Sequence, residues 1–209
     1  MNNLILLRHG QSQWNLENRF TGWKDVPLTS KGIEEAKTAG QILSKNNIKI
    51  DIIFSSILQR ANKTAELTIK EMNLKNFWVD DKLIMKRDYC LNERDYGDLV
   101  GLNKEDTVKK FGKDQVHLWR RSYEVAPPGG ESLENVVERV NPFFSKFIEP
   151  EINKGKHVLI VAHGNSLRAT MIRVGLYKTE EISKIEIPTG RPFVISYEFG
   201  KVVNSNFLA

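Results

Sequence analysis

Two apolar runs, Leu4 to Leu7 near the start of the chain and Val158 to Val161 near its end, each stop at a histidine followed by a glycine: His9-Gly10 and His163-Gly164. An apolar run without polar alternation reads as a buried strand. Open α/β sheets bind their ligands at the carboxyl ends of such strands. If the two runs are neighbours in a parallel sheet, His9 and His163 meet at one edge. The free N–H groups of the helix that starts at Gly164 then point at any anion bound between them.

The residues around His9 suit nucleophilic phosphoryl transfer. In Leu7-Arg8-His9-Gly10-Gln11-Ser12-Gln13-Trp14-Asn15 a neutral imidazole can attack phosphorus, while Arg8 neutralises the phosphate oxygens with a planar fork. Gly10 lets backbone N–H groups approach the anion, and Ser12 and Asn15 supply further hydrogen-bond donors. His163 can stabilise the phosphoryl oxygens in the transition state. Metal ligation by the two histidines competes with this reading, but no carboxylate or third histidine sits at a comparable strand end.

The chain between the two histidines adds polar groups in loops. A loop over residues 17–27 carries Thr21 and Gly22, plausible donors to a phosphate or a carboxylate. Thr29 or Ser30 caps a helix with Ile33, Ala36, Gly40 and Leu43 on its apolar face, and Asn46-Asn47 ends it. Ile50 to Phe54 is a second strand, and the helix after it carries Arg60 in its first turns, aimed at the same crevice. A short strand is expected within 77–84. Next, Glu93 offers a carboxylate for general acid/base work, followed by Tyr96, Gly97, Gly101 and Lys104. Residues 103–122 read as helical and polar and end in Trp119-Arg120-Arg121. Adjacent arginines reach one ligand only in a concave site or near a helix end. The turn at Ala126-Pro127-Pro128-Gly129-Gly130 then breaks the chain. A helix from Glu131 or Ser132 buries Leu133, Val136, Val137, Val140, Phe143, Phe144 and Phe147, with a bend at Pro142. The tail predicts a strand over 193–199 and a hairpin return through Val202-Val203.

These elements define an α/β chain: a single three-layer domain over residues 1–209, with a mostly parallel central sheet flanked by helices. A helical and loop-rich cap is inserted at about 82–130, with too little apolar surface to fold alone. The net charge of +5 and pI near 9.2 favour anionic ligands, but the basic residues are not clustered into a nucleic-acid stripe. The only cysteine, Cys90, excludes an intrachain disulfide and a cysteine-based metal site. No run approaches membrane-spanning length and the chain opens on a core strand, so a soluble, cytoplasmic protein is expected. Neither a nucleotide phosphate loop nor a dinucleotide fingerprint is present.

Taken together, the blocks Leu7–Asn15, Asn18-Arg19-Phe20-Thr21-Gly22-Trp23, Arg60, Leu91-Asn92-Glu93-Arg94 with Tyr96-Gly97, Gly101–Lys104, Trp119-Arg120-Arg121, Glu131-Ser132-Leu133 and Ala162–Arg168 resemble the histidine phosphatase superfamily. The first and last blocks mark the superfamily. The middle ones resemble its phosphoglycerate mutases primed by 2,3-bisphosphoglycerate. The resemblance implies His9 as phosphohistidine nucleophile, Glu93 as proton donor and acceptor, and His163 as transition-state stabiliser, with Arg8 and Arg60 completing the phosphate pocket. Ser12, Asn15, Thr21, Gly22, Tyr96, Lys104, Arg120, Arg121, Gly164 and Asn165 would bind substrate. It further implies interconversion of 3-phosphoglycerate and 2-phosphoglycerate in glycolysis and gluconeogenesis, 2,3-bisphosphoglycerate as primer, no metal, and a homo-oligomer (dimer or tetramer) as an open option. A broad acid phosphatase using the same His9, Arg8, Arg60 and His163 is the alternative activity. A non-catalytic phosphate-binding module is a third reading, opposed by the intact nucleophile and Glu93. Compared with the longer mutases, the segment from Arg121 to Glu131 is short, and little chain follows the last strand to cover the site.

Overall fold

A computed structural model describes residues 1–209. Strand β1 (Asn2–Arg8) carries four successive buried residues, Leu4 to Leu7, which alternate between two separate cores. Helix α1 (Gln13–Leu16) follows, then α2 (Ser30–Lys45), β2 (Ile52–Ser55) and α3 (Gln59–Glu71). A small hairpin, β3 (Trp78–Val79) and β4 (Lys82–Leu83), leads to β5 (Lys86–Arg87). Two 3₁₀ turns precede α4 (Lys104–Phe111) and α5 (Lys113–Arg121), and the chain then runs through α6 (Leu133–Phe143) and α7 (Glu149–Asn153). Strand β6 (Val158–Ala162), α8 (Gly164–Arg173), α9 (Thr179–Ile182), β7 (Phe193–Glu198) and β8 (Lys201–Phe207) complete it.

The main sheet has the order β5-β2-β6-β1-β7-β8. Its first four strands are parallel, and β7 and β8 add antiparallel. The expected juxtaposition of the two apolar runs is present: β1 pairs with β6, with Leu4 opposite Val158 and Arg8 opposite Ala162. Because β1 and β6 are covered on both faces, Leu4–Leu7 and Val158–Ala162 are uninterrupted apolar runs. Leu4, Leu6, Val158 and Ile160 face α6 and α8, where Val136, Val140, Leu167 and Met171 close one core. Ile5, Leu7, Leu159 and Val161 face α2 and α3, against Ala39, Leu43, Ala61, Ala65 and Ile69. A third, minor cluster of Phe20, Leu99, Val116 and Trp119 lies under α4 and α5.

Local chemistry sets the boundaries. Thr29 caps α2, its hydroxyl accepting from Gly32 N at 3.1 Å, and Asn46 closes the helix. The buried stripe of α2 passes through Gly32, Ala36, Ala39, Gly40 and Leu43, and Ile33 is only half-buried. The single strand expected within 77–84 is the β3–β4 hairpin, turned by Asp80 and Asp81 at φ of 47° and 60°. Short carboxamides and carboxylates tolerate that left-handed region. The helical stretch 103–122 is two helices rather than one, broken where Gly112 takes φ of 86°. Beyond Pro142 the helix neither stops nor breaks: it widens into a π-turn over Phe144–Ile148. That extra residue per turn carries Phe147 out of the core, where it is 39% exposed, while Phe143 and Phe144 stay buried as expected.

Behind the first histidine, the chain passes very close to the start of α2. A Cβ on Gly10 would enter the Gly32 carbonyl, and one on Gly32 would enter the Gln11 backbone. Gly32→Ala should therefore reverse the usual preference for alanine in a helix, lowering unfolding free energy by about 2 kcal/mol or more in urea titration. A neutral or stabilising result would show that this crossing is loose.

Candidate active site

The β1–β6 register continues one residue past the strands. His9 N donates to Ala162 O at 3.0 Å, and the His9 and His163 ring centroids stand 5.0 Å apart. Both rings are buried. Nδ1 of His9 lies 2.7 Å from the carbonyl oxygen of its neighbour Gly10. A carbonyl only accepts, so Nδ1 carries the proton and Nε2 holds the free lone pair. Burial first, then Arg60 and Arg8, push the His9 pKa well below its ordinary value, and the same causes with His9 itself do so for His163. Both imidazoles are neutral at physiological pH.

Two arginines flank them. Arg8 donates from Nη1 to Ile187 O at 2.8 Å, and its Nε is buried without a partner. Arg60, second residue of α3, spends Nη1 and Nη2 on the carbonyls of Lys24 and Gly22 at 2.9 and 2.8 Å, and its Nε is likewise unpartnered. Burial lowers its pKa to about 10, with Glu93 and Asp25 opposing, so the guanidinium stays charged. Thr64 Oγ1 accepts from Gly10 N and donates to Arg60 O, tying the histidine loop to α3.

Glu93 enters from the segment before α4. Its Oε1 accepts from Arg94 N at 2.8 Å, Asn165 N at 3.0 Å and Asn165 Nδ2 at 2.9 Å. Burial raises the pKa of this carboxyl. The Arg94 amide, Arg8 and the two Asn165 donors outweigh it and hold the group below the usual carboxylate range. An ion pair behind it grips the loop. Arg139 on α6 donates to the carbonyls of Cys90, Asn92 and Glu93 and to both oxygens of Glu131, and Glu131 accepts from Asp95 N. Trp23 Nε1 donates to Glu93 O at 2.7 Å from the opposite side.

The resulting cavity is lined by Arg8, His9, Asn15, Arg19, Phe20, Thr21, Gly22, Arg60, Glu93, Tyr96 and Lys104. Four cationic side chains thus face one carboxylate. Lys104, at the start of α4, has its pKa lowered chiefly by burial and next by Arg120. Ser12 does not reach the cavity. It is fully buried and caps α1 in a reciprocal pair with Asn15, so it orients Asn15, which does line the cavity. Gly164 starts α8 between Arg8, Glu93 and Arg168.

Arg120 and Arg121 do not line the cavity around His9. They line a narrow adjoining cleft with Arg94, Ser122, Leu133, Asn165, Arg168 and Ser183, at the carboxyl end of α5. Arg121 is paired with Glu186 at 2.6 Å. Arg94 joins the two spaces: its Nη2 donates to Tyr96 OH and Arg120 O, and its Nε and Nη1 are buried without partners. Arg19, Arg94 and Arg139 were not assigned site roles from the sequence. Arg19 had a signal, its place in the loop before Thr21. Arg139 had none, because its hold on the Glu93 loop is through backbone carbonyls far away in the chain. No group of three or more His, Cys, Asp or Glu side chains is close enough together to hold a metal ion.

Comparison with known proteins agrees with this architecture. The chain belongs to the histidine phosphatase superfamily, branch 1, whose family model matches residues 4–206. Among its relatives, the 2,3-bisphosphoglycerate-dependent phosphoglycerate mutase of Mesorhizobium japonicum is 50% identical over 97% of this chain and 95% of its own length. The mutase of the same name from Bartonella bacilliformis is 50% identical over 94% of this chain and 91% of its own. Among solved structures, a mycobacterial glucosyl-3-phosphoglycerate phosphatase superposes with a TM-score of 0.78 at 27% identity, covering 94% of this chain and 93% of that one.

Two results follow from burial of neutral histidines and from the clamp. As pH falls through 6.5 the unfolded chain protonates both His9 and His163 while the folded chain resists, so stability is full above that pH and is lost below it. Unfolding free energy should fall by up to about 1.4 kcal/mol per pH unit for each histidine between pH 6 and 5, and His163→Gln should flatten the slope. A slope unchanged by that substitution would place the proton uptake elsewhere. Arg139→Met strips the partner from Glu131 and from three carbonyls. It should cost about 3 kcal/mol of stability in denaturant titration and lower turnover with it.

Proposed function

We propose that this chain interconverts 3-phosphoglycerate and 2-phosphoglycerate through a phosphohistidine on His9, primed by 2,3-bisphosphoglycerate, as a step of glycolysis and gluconeogenesis. The observation that carries the reading is a neutral His9 whose Nδ1 is spent on Gly10, leaving Nε2 as nucleophile beside a cavity with four cations. The buried and unpartnered Nε atoms of Arg8 and Arg60 fit an incoming phosphate, and so does the surplus of cations over carboxylates. The naming of relatives about half identical over nearly the whole chain supports the same activity.

His9 Nε2 attacks the phosphorus, the N–P bond forming as the bond to the glycerate oxygen breaks. Arg8 and Arg60 neutralise the equatorial oxygens, and His163 donates to one of them in the transition state. Glu93 protonates the departing oxygen and takes the proton back when the other hydroxyl accepts the phosphoryl group. Its low pKa in the free site is no obstacle. A bound polyanion cancels the field of Arg8, one of the causes that hold the carboxyl down, and so raises its affinity for a proton. Asn15, Thr21, Gly22, Tyr96 and Lys104 hold the glycerate portion, while Arg120, Arg121 and Asn165 receive an anionic end in the adjoining cleft. No step in this scheme calls on a metal. Residues of about 82–130 act as the cap over the reacting atoms, and a glycolytic role is consistent with the cytoplasm. No helix is long and apolar enough to cross a membrane.

The test follows conversion of 3-phosphoglycerate to 2-phosphoglycerate with and without catalytic 2,3-bisphosphoglycerate, with released phosphate measured in the same tube. Primer-dependent conversion with little phosphate release is expected, falling at least about 10⁴-fold in His9→Ala. Arg120→Ala with Arg121→Ala should raise the phosphoglycerate KM by about tenfold or more, the loss of charge-assisted hydrogen bonds. Phosphate release without isomerisation would make the chain a phosphatase, and an unchanged KM would remove the two arginines from the substrate site.

A further inference from the structure

Behind His163 lies a fully buried serine that the catalytic scheme does not use. Ser56 follows strand β2, and its Oγ is 2.8 Å from His163 Nε2 and accepts from Leu58 N at 3.2 Å. The other ring nitrogen of His163, Nδ1, is buried and has no partner in the protein. The histidine itself is fully buried, its ring 5.0 Å from that of His9.

A hydroxyl has one proton to give and lone pairs to receive with. At Ser56 the Leu58 amide already occupies a lone pair. The only other polar atom bonded to the oxygen is His163 Nε2, so this nitrogen is the sole acceptor on offer for the hydroxyl proton. A ring nitrogen that accepts carries no hydrogen, and a neutral imidazole then has its hydrogen on the other nitrogen. We infer that Ser56 is a positioning residue that holds His163 in the Nδ1–H tautomer, so that a neutral histidine presents a fixed N–H donor for the phosphoryl oxygen.

The role rests on the proposed phosphohistidine chemistry but is separable from it. Depressed basicity alone leaves His163 neutral and free to choose its tautomer. In the Nε2–H tautomer Nδ1 would be a lone pair, repelling the oxygens of a phosphoryl group, and the donor would be spent on the serine. One hydroxyl at the end of the neighbouring parallel strand removes that choice. The register that pairs Ser55 with Val161 brings it there, with Ser55 itself anchored by its Oγ to Val161 O at 2.9 Å.

Nitrogen-15 NMR of the histidine-labelled protein without ligand, with the His163 signals assigned by their loss in His163→Gln, reads the tautomer directly. The wild-type protein should show Nδ1 protonated and Nε2 bare. Ser56→Ala should shift the population toward Nε2–H and slow phosphorylation of His9 by 2,3-bisphosphoglycerate about 10- to 100-fold at saturation, with little change in the concentration for half-saturation. Ser56→Thr, which keeps the hydroxyl, should keep the Nδ1–H tautomer. A wild-type ring protonated at Nε2 overturns the inference whether or not the variants fold, and so does a Ser56→Ala protein with unaltered tautomer or rate. If His9 accepts no phosphoryl group at all, the catalytic reading fails while the tautomer measurement still decides the role of Ser56.

Discussion

The pairing of β1 with β6 is the constraint on which the site depends. Leu4 through Arg8 run beside Val158 through Ala162 at the centre of the sheet, and the pairing ends with the amide of His9 on the carbonyl of Ala162. A slip of one residue would turn every side chain of one strand to the other face. It would exchange Leu4 and Leu6 with Ile5 and Leu7 between two differently shaped cores and part the two imidazoles. The apolar packing that stabilises the sheet therefore also sets the geometry of the chemistry. The two glycines that let the chain after His9 cross the start of α2 belong to the same constraint, since a side chain there would push β1 away from its helix.

That scaffold holds an electrostatic imbalance in place. Arg8, Arg60, Lys104 and Arg19 line one cavity with Glu93 as the only carboxylate, and Arg94, Arg120, Arg121 and Arg168 line the next. Buried like charges raise the energy of the free protein, a cost met elsewhere by the two cores. Burial, and after it the positive field, keeps both histidines neutral, while the Arg94 amide, Arg8 and the Asn165 donors keep Glu93 ionised. Backbone carbonyls take much of the load: those of Gly22, Lys24, Ile187, Ile185 and Arg120 each accept from a guanidinium. The arginines are thus aimed by the main chain, and the Nε atoms of Arg8, Arg60 and Arg94 remain buried without a partner.

Much of this was legible in the residues. Uninterrupted apolar runs fix a strand covered on both faces, and a histidine-glycine step at the end of each places both at one sheet edge. The caps at Thr29 and Ser132 mark helix starts through a local hydrogen bond that sequence spacing exposes, whereas Ser12, read as an anion donor, caps α1 instead. What stayed hidden depends on distant partners or on a continuous deformation. Phe147 leaves the core because a π-turn absorbs the strain near Pro142, which no helical periodicity encodes. Gly112 divides α4 from α5 although the polar pattern runs through it. Arg139 clamps the Glu93 loop across a gap of more than forty residues, and the separation of Arg120 and Arg121 from the His9 cavity follows from their place at the carboxyl end of α5.

The two clefts bear on whether the phosphoryl group passes to a hydroxyl or to water. The fold alone does not decide, since a phosphatase of the same architecture superposes on most of the chain. The partition is set by alignment of the acceptor and exclusion of water. Asn165 connects them here: its backbone and side-chain amides hold Glu93 Oε1 in the first cleft, while the same residue lines the second. In the proposed scheme, an acceptor with an anionic end in the arginine-lined cleft would touch the residue that orients the Glu93 carboxylate. Water lacks an anionic end that the arginines of the second cleft could hold. On the proposed scheme, preference for a phosphoglycerate hydroxyl over water would arise from charge at a distance from the reacting atoms, the arrangement in which remote binding energy serves the chemical step.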